Sequence, residues 1–281
     1  MLGVSTSDTD FLLSLHIKKP MKINLHQTSK IREKLSRFMV PALLASGLLL
    51  TPNANAEINL AIYGGKSFID NGDLNLTQGN TNLNYSNVSW EDNSFDEPAF
   101  YGARIGYWFN NMPNWGVSVD FAHLKNYIVD TETVAVNGVQ NGVPVNGNMP
   151  INSTDLKEFN MSHGVNTLTF NGHYRWFPAG QRDETFLGRM QLYSGLGVGF
   201  AIPHVEALVN SEKTYEYQAG AGPVFNGMLG INYDLYKFIS GFAEYKLTYV
   251  DVEDDLIGGG TISTETVNHQ LIFGLAVHFD I

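Results

Sequence analysis

The sequence predicts an all-β chain, an eight-stranded antiparallel transmembrane β-barrel with long extracellular loops and short periplasmic turns. Three observations predict it: a leader that reads as a secretory signal, eight blocks of period-two alternation after it, and connections that alternate between short and long. Composition agrees. Of 281 residues, 43% are hydrophobic and 16% charged, too apolar a mix for a disordered chain. The chain has no cysteine, which excludes disulfide frameworks, thiolate metal sites, iron–sulfur clusters and cysteine nucleophiles. A net charge of −11 without a basic stripe argues against nucleic acid as a partner.

The leader comes first. Lys22, Lys30, Arg32, Lys34 and Arg37 form a basic stretch, and Phe38 to Leu50 an apolar one. As a helix the apolar run would reach only about 20 Å, short of a hydrocarbon core of roughly 30 Å. Ala54-Asn55-Ala56 supplies the small-x-small cleavage pattern. Residues 21–56 are therefore expected to be a signal peptide, and residues 1–20 to lie upstream of the true start. The mature chain, 57–281, is expected to be one outer-membrane barrel. It carries ten Lys/Arg against twenty-five Asp/Glu.

The strands follow in order. Around 59–69, Leu60 and Ile62 alternate before Gly64-Gly65 blur the face. Tyr101 to Phe109 sets Tyr101, Ala103, Ile105 and Tyr107 against Gly102, Arg104 and Gly106. Trp115, Val117, Val119 and Phe121 oppose Ser118, Asp120 and Ala122. Leu168, Phe170, Tyr174 and Trp176 oppose Thr169, Asn171, His173 and Arg175. Leu192 to Ile202 alternates apolar residues with glycines, and Phe225, Leu229 and Ile231 oppose Asn226, Met228 and Asn232. Ala243, Tyr245 and Leu247 oppose Glu244 and Lys246. The last block, Leu271 to Phe279, ends on Ile281 and resembles the C-terminal signal read by the barrel assembly machinery.

Connections alternate as well. Asn110 to Asn114 and Asp234 to Tyr236 are short, whereas 70–97, 128–164, 210–222 and 251–265 are long and polar. Aromatics at strand ends, Trp108, Trp115, Trp176 and Tyr236 among them, suit an interfacial girdle. A barrel of eight strands is too narrow for an open pore, so its interior must be filled. Arg104, Asp120, Asn171, His173, Arg175, Glu244 and Lys246 fall on the inner face and are expected to pair, because a lone buried charge costs several kcal/mol.

Chemistry is sought at the extracellular strand ends, where the sequence places His123, Lys125, His163, His204-Val205-Glu206, Glu216, Glu244, Lys246 and Asp251. His-x-Glu on a strand sets two side chains on one face about 6.5–7 Å apart, and a further ligand from a neighbouring strand would complete a divalent metal site. Strict alternation from Leu192 would turn His204 and Glu206 outward; Pro203 is the break that can reset the face. No P-loop, dinucleotide or Gly-x-Ser-x-Gly motif is present.

At this point the residues resemble a family. Gly164 to Trp176 (GVNTLTFNGHYRW), Gly195 to Glu206 (GLGVGFAIPHVE), Tyr215 to Gln218, Phe242 to Lys246, Gly258 to Gly260 and Asp120 to His123 are similar to segments of bacterial lipid A oxidases. His163 stands where that pattern leads one to expect an acidic residue. The resemblance implies an outer-membrane enzyme that oxidises the proximal glucosamine of lipid A to an aminogluconate, with oxygen as co-substrate and peroxide released. Oxygen chemistry on a sugar calls for a redox centre. The expectation is a divalent or redox metal held by His123, His204 and Glu206, with Asp120, Glu244 and Lys246 as catalytic groups and Arg175 for substrate phosphate. The expected partners are lipid A and outer-membrane lipids, and the chain is expected to be a monomer. Two alternatives stand beside this: a non-catalytic barrel serving as anchor, adhesin or surface antigen, and a deacylase built on Ser162-His163.

Overall fold

A computed structural model describes residues 56–218 and 220–281; the expected start site, and the expected signal peptide up to residue 55, lie outside them. Seventeen strands follow in chain order. They begin with β1 (Glu57–Ile69), β2 (Gly72–Gln78), β3 (Thr81–Val88), β4 (Trp90–Glu91), β5 (Tyr101–Phe109) and β6 (Met112–His123). Next come β7 (Asn126–Ile128), β8 (Thr133–Gln140), β9 (Val143–Pro150), β10 (Leu156–Met161), β11 (Thr167–Trp176) and β12 (Met190–Ala201). The last are β13 (His204–Val209), β14 (Glu212–Tyr217), β15 (Pro223–Tyr236), β16 (Ile239–Asp255) and β17 (Thr261–Asp280).

Eight of these close the barrel in the order β1-β5-β6-β11-β12-β15-β16-β17, with β17 pairing back on β1 from Glu57↔Asp280 to Ile69↔Asn268. They are the eight alternating blocks of the sequence, all antiparallel. Ile62, Ile105, Leu196, Leu229 and Phe273 stand exposed on the outer wall, while Asp120, Asn171, Glu244 and Lys246 are buried inside. A closed barrel with an apolar outer belt and a polar lumen satisfies every backbone group without water and spans a membrane. The protein is an outer-membrane barrel, with its short 110–111 and 237–238 turns at the periplasmic end.

The lumen is filled by ion pairs. Arg104 Nε donates to Asp120 (2.7 Å), and its two terminal nitrogens grip both oxygens of Glu244 (2.7 and 2.8 Å). Lys246 donates to Asp120 (3.0 Å), Tyr193 to Glu244 (2.8 Å), and Tyr63 to Asp120. Gly102 and Gly230 leave room for the rings of Tyr63 and Tyr193, which fill the positions their Cβ atoms would take. Arg175 belongs elsewhere, at the periplasmic mouth. There it bonds to Glu57 (2.8 Å) and lies over the Trp108 ring (4.2 Å), beside Arg182, which bonds to Asp234 (2.7 Å).

The long connections are not loops, contrary to their polar composition. β16 and β17 run on beyond the wall as a hairpin paired to Asp255↔Thr261. Onto that extension β2, β3, β8 and β9 add in order, and a second sheet, β14-β13-β10-β7-β4, faces them. Leu74, Leu76, Leu83, Tyr85, Leu156 and Phe159, all fully buried, are part of the core of this extracellular cap. Tyr85 bonds to Thr154 (2.7 Å), and Thr81 to Asp155 (2.7 Å), tying the first sheet to the segment that leads into β10 of the second.

Candidate functional site

The site begins where the chain leaves the barrel wall. β12 ends at Ala201, and β13 starts at His204 in the cap's second sheet. Between them Ile202 N–H donates to the Asn166 carbonyl (2.7 Å) and His204 N–H to that of Gly164 (2.9 Å), so the crossing is clamped by the 164–166 segment. Pro203 needs no donor partner and fits this junction. The change of sheet removes the parity problem: His204 and Glu206 are both buried, with Glu206 between Asn160 of β10 and Tyr215 of β14.

β10 delivers the third residue. Beyond Met161 the chain turns at Gly164, whose φ of +104° favours glycine, and the turn sets Ser162 and His163 beside β13. His163 Nδ1 lies 3.0 Å from a Glu206 carboxylate oxygen, and His204 Nδ1 lies 3.4 Å from the same oxygen. One ligand atom from each of His163, His204 and Glu206 falls within 4.8 Å of the others. The Tyr215 and Tyr217 rings wall the group, each 4.5 Å from the His204 ring.

The electrostatics suit a cation. Burial pushes the Glu206 carboxyl up, but the Ser162 hydroxyl and the His163 ring outweigh it and hold the group below its usual range. Burial and the neighbouring His163 push His204 down against the pull of Glu206, which favours its neutral imidazole. A neutral imidazole beside an ionised carboxylate is the state metal ligands require. His204 Nδ1 is buried without a hydrogen bond among the described residues. Metal bonds of about 2.1 Å put neighbouring donors roughly 3–4 Å apart, within reach of small side-chain rotations here. Two imidazoles and one carboxylate with an open side form a donor set that takes zinc or non-haem iron.

The sequence-expected residues divide. His204 and Glu206 come together, but with His163 rather than His123. His123 lies next to them, stacked on Tyr101 (4.9 Å) with Nδ1 on the Asn166 amide oxygen (2.8 Å). Asp120, Glu244 and Lys246 are not at this site. They are in the lumen, bonded to one another, because β16 reaches Glu244 only five residues above its periplasmic end at Ile239. Arg175, at the opposite mouth, is engaged by Glu57. Ser162 and Glu206 both approach Nδ1 of His163, whereas a nucleophile relay needs serine and acid on opposite ring nitrogens. Sequence reading passed over His163 as a metal ligand because β10 and β13 are far apart in the chain and LKEFNM before it carries no clear alternation.

No protein-family model matches the chain, and a search of the curated proteins finds no match. Among solved structures it is similar to Neisserial surface protein A (8% identity, 80% of this chain and 97% of that one covered, TM-score 0.36). Others are the outer membrane protein OprG from Pseudomonas aeruginosa (12%, 81% and 97%, TM-score 0.38) and the outer membrane protease OmpT from Escherichia coli (10%, 82% and 99%, TM-score 0.37).

Proposed function

We propose that this outer-membrane barrel is an oxidase acting on the proximal glucosamine of lipid A. The observation that carries the reading is the convergence of His163, His204 and Glu206 at the extracellular rim, where lipid headgroups lie. The sequence resemblance to lipid A oxidases supplies the substrate. A bound redox metal would give the electron path between sugar and oxygen, with His163, His204 and Glu206 as its ligands and Ser162 supporting the carboxylate from outside. The sugar loses its C1–H and the anomeric hydroxyl proton, two electrons and two protons in all, and becomes a lactone. Dioxygen takes up both electrons and both protons and leaves as hydrogen peroxide, and water opens the lactone to the aminogluconate. The lumen cluster of Arg104, Asp120, Glu244 and Lys246 contacts no substrate in this scheme and holds the barrel shut.

Mass spectrometry of lipid A from cells with and without the gene tests the reading. A gain of one oxygen atom that needs His204 and Glu206 supports it; unchanged lipid A removes it. A non-catalytic surface barrel is the second reading. It is favoured by the folded cap, which presents Phe95, Tyr215 and Tyr217 outward, and it expects unmodified lipid A with an intact cap.

A further inference from the structure

Below the His163–His204–Glu206 group the outer wall is indented by a depression of about 300 Å³. Tyr101 and Phe121 form its aromatic side and His123, Asn166 and His163 its polar side, with Ile202 beside Asn166; Tyr101 on β5 is the register partner of His123 on β6. Its aromatic side continues the lipid-facing belt, since Phe121 shares the outward face of β6 with exposed Val119 and Trp115, and Tyr101 that of β5 with exposed Ile105. The depression therefore opens sideways, toward outer-leaflet lipid, and its polar side includes a residue of the candidate metal group.

The polar side has a defined donor and acceptor pattern. Asn166 donates its amide N–H groups to the carbonyls of His163 (3.3 Å) and Ile202 (3.2 Å), which fixes the amide orientation and leaves its oxygen facing His123. His123 Nδ1 must then be the donor in the 2.8 Å contact, and in the neutral ring Nε2 carries a bare lone pair. His123 is only 4% exposed, and Nε2 has no hydrogen-bond partner among the described residues. Gly164 packs against this ring so closely that a Cβ there would lie 2.5 Å from Nδ1, so the imidazole is held in place. Among the described residues no lysine or arginine lines the depression.

We propose that this depression seats the sugar headgroup of an outer-leaflet glycolipid that enters from the plane of the membrane, with His123 Nε2 accepting a hydrogen bond from a sugar hydroxyl. An acceptor in a wall without cations selects a hydroxyl over a phosphate. The aromatic side passes the acyl chains down into the belt. The choice of lipid A as the glycolipid rests on the proposed function; the lateral groove rests on the geometry.

The test uses the full barrel in phosphatidylcholine nanodiscs doped with lipid A, with co-retained lipid A counted by native mass spectrometry after transfer to detergent. Wild type is expected to retain lipid A. His123→Phe keeps a ring opposite Tyr101 but loses both the Nε2 acceptor and the Nδ1–H bond to Asn166, and it should weaken retention about tenfold or more, the worth of one to two hydrogen bonds. Tyr101→Ala removes the exposed wall and should weaken retention comparably. Heat-modifiable migration reports folding of both. Where oxidation is measurable, His123→Phe should raise KM with little change in kcat, and the acyl-free disaccharide should compete poorly. Wild-type retention in both variants, or equal competition by the soluble disaccharide, overturns the proposal. Retained but unoxidised lipid A would sink the oxidase reading and leave the groove standing.

Discussion

Removing the Arg104 guanidinium should reveal how much the barrel depends on its lumen charges. Arg104 touches Asp120 and both oxygens of Glu244, and Lys246 completes a neutral group of two cations and two carboxylates. All four side chains are buried. Arg104→Met keeps the chain length but leaves two carboxylates sharing one ammonium, Lys246, at 3.0 Å from Asp120 and 3.7 Å from Glu244. Breaking such a pair from one side costs about 3–5 kcal/mol, roughly two to three and a half powers of ten in the folding equilibrium. The Tyr63 and Tyr193 hydroxyls still solvate the carboxylates, which favours the lower figure. Adding Glu244→Leu restores neutrality around Lys246 and Asp120, so the double variant should be more stable than Arg104→Met by about 2 kcal/mol, a coupling typical of neighbours in one network. Urea titration of the barrel in lipid vesicles, followed by tryptophan fluorescence, measures both. An Arg104→Met barrel within about 0.5 kcal/mol of wild type, or a double variant less stable than the single, would refute the reasoning.

Other outcomes follow from the same structure. Dialysis of wild type against cobalt(II) should leave about one ion per chain, with His204→Ala and Glu206→Gln each losing it, because a set of three ligands reduced to two binds far more weakly; unchanged metal content in both would exclude the site. Gly164→Val should destabilise the rim by about 1–3 kcal/mol, since φ is +104° and the His123 ring stands where a Cβ would go; a wild-type urea midpoint would contradict this. Leu83→Ala should cost about 2–5 kcal/mol in the cap and expose it to protease in intact cells while the barrel stays heat-modifiable, whereas unchanged protease resistance would argue against a packed cap. Burial pushes the Asp92 carboxyl up, but the Lys66 ammonium and the Ser94 hydroxyl and N–H hold it below its usual range. The folded value is thus depressed, so its stabilisation is present above about pH 4 and fades as pH falls through the folded value. Lys66 is half open, which limits the effect to under about 1 kcal/mol; hydrogen exchange in 89–97 that stays flat down to pH 3 would count against it.

The barrel was legible in the sequence because its two faces meet different solvents. Lipid outside and a packed polar lumen inside impose a period of two on every strand, and that pattern is local, so Ile105 against Arg104 or Leu247 against Lys246 reads directly from the chain. The lumen pairing of Glu244 and Lys246 with Arg104 and Asp120 followed from the same parity, since buried charges on a shared face must find partners on other strands. Leu74 with Leu76, Leu83 with Tyr85 and Val134 with Val136 also alternate, yet these runs are short and surrounded by asparagine, and composition alone classes them with loops. Only tertiary structure decided that they pack into a cap. The same holds for the rim. Whether His204 faced in or out depended on the chain changing sheets at Pro203, and His163 joined it only because β10 pairs with β13 across the intervening barrel hairpin. Such long-range pairings are chosen by which apolar faces can be buried together, and no local periodicity records that choice.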